Sequence, residues 1–313
     1  MSKGFIKAYK YLVLGTFALI ALGGSVRVMN AGLACPDWPL CFGEVIPDYH
    51  PEVYFEFIHR ALAGFIGLVT VVLHTMILRN KNVNGWLKVI ASGSLVLLAA
   101  QVIMGGLTVL LQLQGEVVTT HLALGTSYFA SLLWIYLSLR DGDRLKTFKL
   151  PQWMPRYAKL TALCVFAQIL LGGFVASHYA ALVCVDFPTC HGKIIPTLYG
   201  IIGLQVVHRL GAYLLTIIVV SFSVLVLRNT EDNYLRNKAW LLIAMIFVQV
   251  ALGISNILLM TPPVIAVAHL AVGVALLATS LSSVRRITLV HQVDYQDVPV
   301  QKHPSLRTAL QEP

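Results

Sequence analysis

The sequence predicts an all-α integral membrane protein in which eight transmembrane helices form two four-helix bundles related by a pseudo-twofold axis. The first observation is composition: 57% of the 313 residues are hydrophobic, 12% are charged, and the mean hydropathy is +0.76. The second observation is a set of eight separate apolar stretches, and the third is an internal repeat. Such a composition is typical of membrane proteins and excludes an ordinary soluble domain.

The apolar stretches have the length of membrane-spanning helices. A helix needs about 20 predominantly apolar residues to cross a bilayer. The alternation of period two that marks barrel strands is missing, so each stretch is expected to be a helix. In chain order the predicted spans are 9–29, 56–78, 87–111, 117–139, 158–177, 203–227, 239–260 and 264–284.

The distribution of lysine and arginine predicts the orientation of these helices. Segments expected on one side of the membrane contain 19 of the 23 basic residues, and the loops of the other side contain only Lys193. Because basic residues are retained in the cytoplasm, we expect a multi-pass protein of the cell membrane with both termini cytoplasmic. The net charge of +9 then reflects topology. A nucleic-acid site is excluded, since the basic residues do not gather on one soluble domain.

The internal repeat divides the chain into two similar halves. Residues 23–47 and 172–196 align without a gap and are identical at 12 of 25 positions. Each copy has an even number of spans, so the copies are parallel and their symmetry axis lies along the membrane normal. We therefore expect an N-terminal half, a basic cytoplasmic linker, a C-terminal half and a polar cytoplasmic tail, at 1–139, 140–158, 159–286 and 287–313.

Four of the five cysteines form two C-x5-C pairs, Cys35 with Cys41 and Cys184 with Cys190, in the long loops opposite the basic side. That compartment is oxidising, so disulfides persist there. Closing so short a loop stabilises by roughly 2 kcal/mol. Zinc is the rival, but its cysteines usually follow C-x2–4-C spacing. The sequence predicts disulfides and leaves open whether they are structural or redox-active. Cys164 is expected to be a small core residue without a partner.

Four histidines stand out because each lies near the outer end of an even-numbered helix and each has a counterpart in the other half. Ionisable groups within a membrane are costly and usually functional. Facing imidazoles in a four-helix bundle are a common way to hold a heme iron. The alternative is that they cap helices or bind loop carbonyls. They are His59, His121, His208 and His269; the other six, His74 among them, are interpreted as ordinary polar positions.

The two halves differ beside the first histidine of each pair. Glu56 lies three residues before His59 and therefore shares its helix face, whereas the counterpart of Glu56 is the amide Gln205. One site has an acid and the other does not, which favours chemistry at the first site only. The alternative is that Glu56 simply pairs with Arg60. Arg60 and Arg209 are symmetric and are candidates for binding heme propionates, because a guanidinium matches a carboxylate bidentately.

These features together resemble the heme A synthase family, in its bacterial form with paired loop cysteines. The motifs that carry the resemblance are AGLACPDWPLCFG, EFIHR, the second loop VC-x5-C, HRLGAY, HLALG and AHLAVG. The resemblance covers about residues 10–285. It implies an eight-helix membrane enzyme that converts heme O to heme A by oxidising the C8 methyl group to a formyl group. The implied route is successive hydroxylation through a gem-diol that loses water.

The resemblance also implies roles for individual residues. His208 and His269 would be the axial ligands of a heme b cofactor in the C-terminal half. His59 and His121 would flank the iron of the substrate heme O in the N-terminal half. Glu56 would be the essential acid near the reacting methyl group.

The resemblance assigns the disulfides as well. Cys35–Cys41 matches the pair that the family implicates in function, and Cys184–Cys190 matches its second pair. The second loop, CVDFPTC, departs from the first, CPDWPLC, by lacking the first proline. That departure favours a purely structural role for the second pair.

The implied partners are heme O, the lipid bilayer, the farnesyltransferase that produces heme O, and an electron donor that the sequence does not identify. A homo-oligomer is left open. The main alternative function is a di-heme b membrane protein that passes electrons from quinol, which explains the helices and histidines but not the difference between Glu56 and Gln205. A transporter is third, but no broken helix marks a substrate path.

Overall fold

A computed structural model describes residues 1–141, 150–194 and 196–296 of the chain. Within these ranges it contains eight α-helices and no β-strand. In chain order they are α1 (Lys3–Val28), α2 (Pro51–Arg79), α3 (Gly85–Leu110), α4 (Gly115–Asp141), α5 (Met154–Ser177), α6 (Gly200–Asn229), α7 (Asn233–Leu258) and α8 (Pro263–Gln296).

All eight helices are long and apolar enough to cross a membrane, which confirms the predicted all-α membrane class. Capping side chains and first-turn prolines explain where several of these helices begin. Ser2, Asn84 and Asp232 accept hydrogen bonds from the first-turn amides of α1, α3 and α7. The helices α2 and α5 have a proline in their first turn, where no intrahelical N–H is needed.

The last helix is longer than the sequence indicated. We expected a polar tail from residue 287, but α8 continues to Gln296. Ile287 and Val290 are buried in the core of the C-terminal half, and Arg286 forms an ion pair with Asp232 at 2.6 Å. These contacts explain why the helix extends beyond its apolar span. The rest of the expected tail, 297–313, and the linker residues 142–149 lie outside the described residues.

The helices of each half form a closed ring of neighbours. In the N-terminal half α1 contacts α2 and α4, and α3 contacts α2 and α4; the C-terminal half repeats this with α5 to α8. Between the halves α1 contacts α8, α4 contacts α5, and α4 contacts α8. An exchange of the two halves maps this set of contacts onto itself. The pseudo-twofold axis and the four segment boundaries stay predictions.

Glycines bring the halves together near the disulfide loops. A β-carbon on Gly24 of α1 would lie 2.7 Å from Leu270 of α8, and one on Gly173 of α5 would collide with Leu122 of α4. Each leucine therefore occupies the space that a side chain on the facing glycine would need. Leu122 and Leu270 directly follow His121 and His269, so this packing fixes the height of two of the candidate histidines.

The large buried side chains lie away from the disulfide loops. Tyr9, Ile77 and Phe129 fill the N-terminal bundle from its middle to the side of the termini, and Phe222 and Leu235 do the same in the other bundle. Toward the disulfide loops the buried apolar residues are smaller, mainly valine, alanine and cysteine. Each bundle is thus closed at one end by its core and holds its histidines and glycines near the other.

Candidate functional site

Each of the four candidate histidines packs against a glycine on the neighbouring odd-numbered helix. The distance from the position of a β-carbon on that glycine to the imidazole Cε1 is between 3.0 and 3.2 Å. The four glycines correspond to one another in the repeat, as the histidines do. The pairs are His59–Gly23, His121–Gly105, His208–Gly172 and His269–Gly253.

The histidines fall into two pairs, one in each half. His121 is close enough to His59, and His208 to His269, for the imidazoles to interact electrostatically. Among the described residues no group of three or more His, Cys, Asp or Glu side chains could hold a metal ion directly. Two imidazoles and no further ligand are what a porphyrin-bound iron requires of a protein.

The imidazoles retain unused polar atoms inside the protein. The Nδ1 atoms of His59, His121 and His269 are buried and have no hydrogen-bond partner in the described part of the chain. A buried polar atom without a partner costs free energy unless a ligand satisfies it. The residues present in both halves therefore fit an axially ligated heme.

Three glutamines that the sequence interpretation did not assign touch these histidines. The amide nitrogen of Gln101 lies 3.2 Å from His121 Nε2, and that of Gln249 lies 3.4 Å from His269 Nε2. These two contacts are equivalent in the repeat, and the shared spacing of glutamine and histidine could have identified them. The amide of Gln168 lies 3.1 Å from His208 Nδ1. This third contact has no counterpart, so the repeat gave no signal for it.

Glu56 is buried, with 4% of its surface exposed, and both of its carboxylate oxygens have partners. Oε2 accepts a hydrogen bond from the backbone N–H of Cys35 at 2.9 Å, and Oε1 accepts one from Arg60 at 2.5 Å. The ion pair that we considered as an alternative is therefore present. Gln205 is equally buried, but it donates to the carbonyl of Ala181 at 3.3 Å. The two halves thus connect this position to their loops differently.

The symmetric arginines bind the disulfide loops. Arg60 donates to the carbonyls of Cys35, Asp37 and Leu40 at 2.7–3.2 Å. With the bond to Glu56, all four hydrogens of its two terminal nitrogens are used.

Arg209 repeats this arrangement with the carbonyls of Cys184, Asp186 and Thr189 at 2.6–3.0 Å. The structure thus shows both guanidinium groups bonded to their loops, and the propionate contact stays a prediction. At Arg209 the buried Nε–H has no hydrogen-bond partner in the described part of the chain.

Both predicted disulfides form, Cys35–Cys41 with an S–S distance of 2.02 Å and Cys184–Cys190 with 1.97 Å. Next to each disulfide an aspartate organises the turn. Asp37 accepts hydrogen bonds from the N–H groups of Phe42 and Gly43 at 2.7 and 2.8 Å. These bonds, that of Gly43 above all, lower the pKa of Asp37 below its ordinary value.

Asp186 in the second loop makes the equivalent backbone bonds to His191 and Gly192. The hydroxyl of Thr189 and these N–H groups lower its pKa as well. A carboxylate that accepts several hydrogen bonds is stabilised in its charged form. Each loop is therefore closed twice, once by sulfur and once by a charged aspartate.

Two of the predicted positions lie inside the bundles, away from the loops. Cys164 is a free, half-buried cysteine packed against the core of the C-terminal half, as expected. His74 differs from expectation: it is fully buried, and its Nδ1 pairs with the hydroxyl of Tyr9 at 3.0 Å. Because its counterpart is Ser223, the repeat did not reveal this internal contact.

Comparison with known proteins identifies relatives over most of the chain. The family model COX15-CtaA, described as cytochrome oxidase assembly protein, matches residues 9–281. A protein named heme A synthase from Shewanella oneidensis is 29% identical over 86% of this chain and 92% of its own length. A protein of the same name from Symbiobacterium thermophilum is 29% identical over 79% of this chain and 85% of its own length. Another from Halalkalibacterium halodurans is 28% identical over 86% of this chain and 91% of its own length.

Proposed function

The chain belongs to the COX15-CtaA family of cytochrome oxidase assembly proteins, and from this premise we propose that it is a heme A synthase that oxidises heme O to heme A. Relatives with that name align with most of the chain. The proposed reaction is oxidation of the C8 methyl group to a formyl group by successive hydroxylations. The product would serve terminal oxidases.

The observation that carries the division of labour is the buried acid in one half and the amide in the other. Glu56 and Gln205 are both 4% exposed and precede His59 and His208 by three residues. A buried carboxylate costs several kcal/mol to desolvate and is retained only where it has partners or a task. We assign the N-terminal half as the site of reaction and the C-terminal half as the holder of a cofactor.

In the N-terminal half, His59 and His121 would flank the iron of heme O. Glu56 would hold a negative charge beside the porphyrin edge, where an oxidised methyl group develops positive charge, or would accept a proton released there. Its bond to the Cys35 N–H supports this role, because that bond holds the carboxylate at a fixed position. Arg60 would tie the acid to the loop.

In the C-terminal half, His208 and His269 would be the axial ligands of heme b. When bound, this heme would supply one-electron transfer. The buried, unpartnered Nδ1 of His269 and the glycines that face both imidazoles support the assignment. Gln205 leaves the second site without a carboxylate, which suits a cofactor that is not itself oxidised.

The helices and the charge distribution support a proposed setting for the reaction. The helices support a multi-pass membrane protein, and the lysine and arginine distribution supports cytoplasmic termini with the disulfide loops outside. Contact with the farnesyltransferase that makes heme O would let the substrate pass from one enzyme to the other within the membrane. The proposed reaction also requires an electron donor, which the sequence does not identify. Association of the chain into a homo-oligomer is left open.

One experiment separates this enzyme from a di-heme electron carrier. The full chain is expressed with and without the farnesyltransferase that makes heme O, and the extracted hemes are identified by mass. We expect heme A or its hydroxylated precursor only when the farnesyltransferase is present, with heme b in both cases. Heme b alone in both preparations would support the electron carrier instead.

A further inference from the structure

We propose that heme O enters and leaves the N-terminal half laterally, between α2 and α3, and that Trp38 is the latch that closes the outer end of this opening. The inference rests on the proposed function and deepens it by assigning a route to the substrate. Heme O carries a farnesyl chain, which dissolves in the bilayer and not in water. A lateral route lets that chain stay in the membrane while the porphyrin reaches the histidines.

The contact between α2 and α3, called here the α2–α3 seam, is loose. Among the described helices, α2 and α3 are the most loosely packed neighbours of either ring, and their counterparts α6 and α7 pack more closely. A β-carbon on Gly67 of α2 would touch only Leu98 of α3, at 3.5 to 4 Å, and Leu98 is half-buried. The equivalent residues of the second half are Thr216 and Ile246, and Ile246 is 1% exposed. The second half thus has a side chain where the first has a hydrogen atom.

Helical geometry places two further residues on the α2–α3 seam. Arg60 precedes Gly67 by seven residues, about two helical turns, so it lies on the side of α2 that faces α3. On α3, Gly106 lies about 140° around the helix from Gln101, whose amide contacts α4, with the inward-facing Gly105 between them. Gly106 therefore lies on the side of α3 that faces α2.

The first disulfide loop bridges the outer end of the seam. Arg60 holds the loop on α2 by donating to the carbonyls of Asp37 and Leu40 at 2.7 and 2.8 Å. Trp38 holds it on α3, because the indole ring covers Gly106: a β-carbon there would lie 3.0 to 3.2 Å from three ring atoms. Trp38 nevertheless remains 39% exposed, so the indole can leave Gly106 without crossing the core.

The opening behind the latch leads to both candidate histidines of this half. Gly106 follows Gly105, against which the imidazole of His121 packs. On α2, His59 directly precedes Arg60, which holds the loop. The latch therefore lies at the height of the two imidazoles, and its release would open a path to them from the side of the bundle.

The second half differs at both members of the latch. At the repeat offsets Gly106 corresponds to Ile254, and Trp38 corresponds to Phe187. Ile254 has a branched side chain where Gly106 has none. The ring of Phe187 lies 6.0 Å from the guanidinium carbon of Arg209. A closely packed seam without a glycine slot suits a cofactor that stays bound.

The test measures how fast heme O binds to and leaves the full chain with heme b already bound. Rapid mixing with heme O gives the uptake rate, and transfer of heme O to excess apomyoglobin gives the release rate. Trp38→Ala removes the latch and should accelerate both rates about tenfold, the scale of one well-packed aromatic contact. Gly106→Ala forces the indole away from α3 and should act in the same direction. The latch closes with and without heme, so the affinity should not change.

Filling the seam should have the opposite effect. Gly67→Thr introduces the residue of the second half, and the overpacked seam should slow uptake and release about tenfold. The matched control is Gly93→Thr, the same chemical change at an exposed position of α3. A β-carbon on Gly93 has no neighbour within 4 Å in the described part of the chain, so both rates should stay normal.

Equal changes in both rates distinguish an entrance from a heme contact, because a residue that touches the bound heme alters the release rate and the affinity. Unchanged rates in Trp38→Ala or in Gly67→Thr, or a changed affinity with normal uptake, would overturn the inference. The heme b spectrum of each sample reports whether the variant has folded. Should Trp38→Ala fail to fold, unchanged rates in Gly106→Ala overturn the inference. A wild-type chain that takes up no heme O would refute the proposed substrate site itself.

Discussion

Glu56 and Arg60 form an ion pair one helical turn apart on α2, with Oε1 and a terminal guanidinium nitrogen separated by 2.5 Å. The same two side chains hold the peptide of Cys35 from both ends, since Glu56 accepts its N–H and Arg60 donates to its carbonyl. The acid of the first half is therefore part of the attachment of the disulfide loop. In the second half Arg209 retains this attachment to Cys184, and Gln205 does not take part in it.

Replacing the acid by its amide should separate chemistry from structure. We expect Glu56→Gln to lower heme A production by about a hundredfold or more, the usual scale for losing a general acid–base group. Gln can still accept the Cys35 N–H, so the loop should remain attached and heme b should remain bound. The measurement is heme A content by extraction and mass, with the heme b spectrum recorded on the same sample.

The matched control for this variant is Gln205→Glu, which places an acid at the equivalent position of the other half. It should leave heme A production largely intact. Normal heme A content in Glu56→Gln would remove Glu56 from the chemistry and leave it with only the loop-binding role that the structure shows.

The assignment of heme b to the C-terminal half can be tested by removing one ligand. His208→Ala should lose the low-spin b-type spectrum, because an axial ligand provides the main bond between protein and iron. His59→Ala should retain that spectrum, since His59 belongs to the other pair. His178→Ala, at the end of α5 and outside both pairs, serves as the control. A b-type spectrum that survives in His208→Ala and disappears in His59→Ala would exchange the roles of the halves.

Arg60 should stabilise the disulfide loop through the planar geometry of its guanidinium group and not merely through its positive charge. Its terminal nitrogens make four hydrogen bonds in a fixed plane, and a lysine ammonium cannot reproduce that geometry. We expect Arg60→Lys to make Cys35–Cys41 reducible by a phosphine at least about tenfold faster, in line with the loss of charge-assisted bonds. Cys184–Cys190 should react at its normal rate. Arg209→Lys should show the mirror-image result.

The alternative task for these arginines, binding heme propionates, predicts a different outcome. In that case Arg60→Lys would weaken heme binding while the reduction rate of Cys35–Cys41 stayed unchanged. Measuring both quantities on the same variant distinguishes the two roles directly.

The first disulfide loop should loosen in acid. The pKa of Asp37 is lowered in the folded loop by hydrogen bonds from Gly43 and Phe42, so the charged carboxylate stabilises the loop. This stabilisation is fully present above the ordinary carboxyl pKa of about 4 and is lost as the pH falls through the lowered value. The rate of phosphine reduction of Cys35–Cys41, measured in a Cys184→Ser/Cys190→Ser background, should therefore rise below about pH 4.

Asp37→Asn provides the control for this pH dependence. The variant should be reduced faster at neutral pH, and its rate should not increase further between pH 5 and pH 3, roughly the range in which a carboxyl group titrates. A wild-type rate that is flat over the same range would show that the carboxylate does not stabilise the loop.

Much of the helical fold and of the repeated site could be predicted from the sequence because the relevant signals are local or repeated. The lengths of the apolar stretches predict the helices, and the repeat identifies histidines, cysteines and arginines as members of one arrangement used twice. The C-x5-C spacing together with the side of the membrane predicted disulfides that the structure contains. The continuation of α8 was not predicted, because it involves the burial of Ile287 and Val290 in the folded core and an ion pair between Arg286 and Asp232, 54 residues away.

The contacts that distinguish the two halves were harder to predict. Gln168 contacts His208, and Gly211 lies where a side chain would collide with Gln168 Oε1. Neither residue carries a signal of its own in the sequence. The propionate role of Arg60 and Arg209 was inferred from their symmetry and from the match between a guanidinium and a carboxylate, and it stays a prediction. The structure shows bonds from both side chains to loop carbonyls whose positions only the folded loop defines. Symmetry reveals what two copies share, and three-dimensional packing is needed to see how they differ.

The glycines that face the histidines should be intolerant of even one added carbon. A β-carbon on Gly172 would lie 3.0 Å from His208 Cε1, so the imidazole would have to move. Overpacking of this kind costs about 1–3 kcal/mol. We therefore expect Gly172→Ala to weaken heme b binding roughly tenfold to hundredfold, measured as heme b per protein after dilution. Gly23→Ala, against His59, should leave heme b at its normal level, because it perturbs the other pair.

Gly64 and Gly93 give matched controls for the same chemical change. Both are exposed helical glycines, and a β-carbon added to either would have no neighbour within 4 Å. Alanine favours a helix over glycine by about 1 kcal/mol, and these variants should therefore retain heme b fully. Equal heme loss in Gly172→Ala and Gly93→Ala would attribute the effect to helix stability. Loss in Gly172→Ala alone would show that the absence of a side chain at Gly172 positions the ligand.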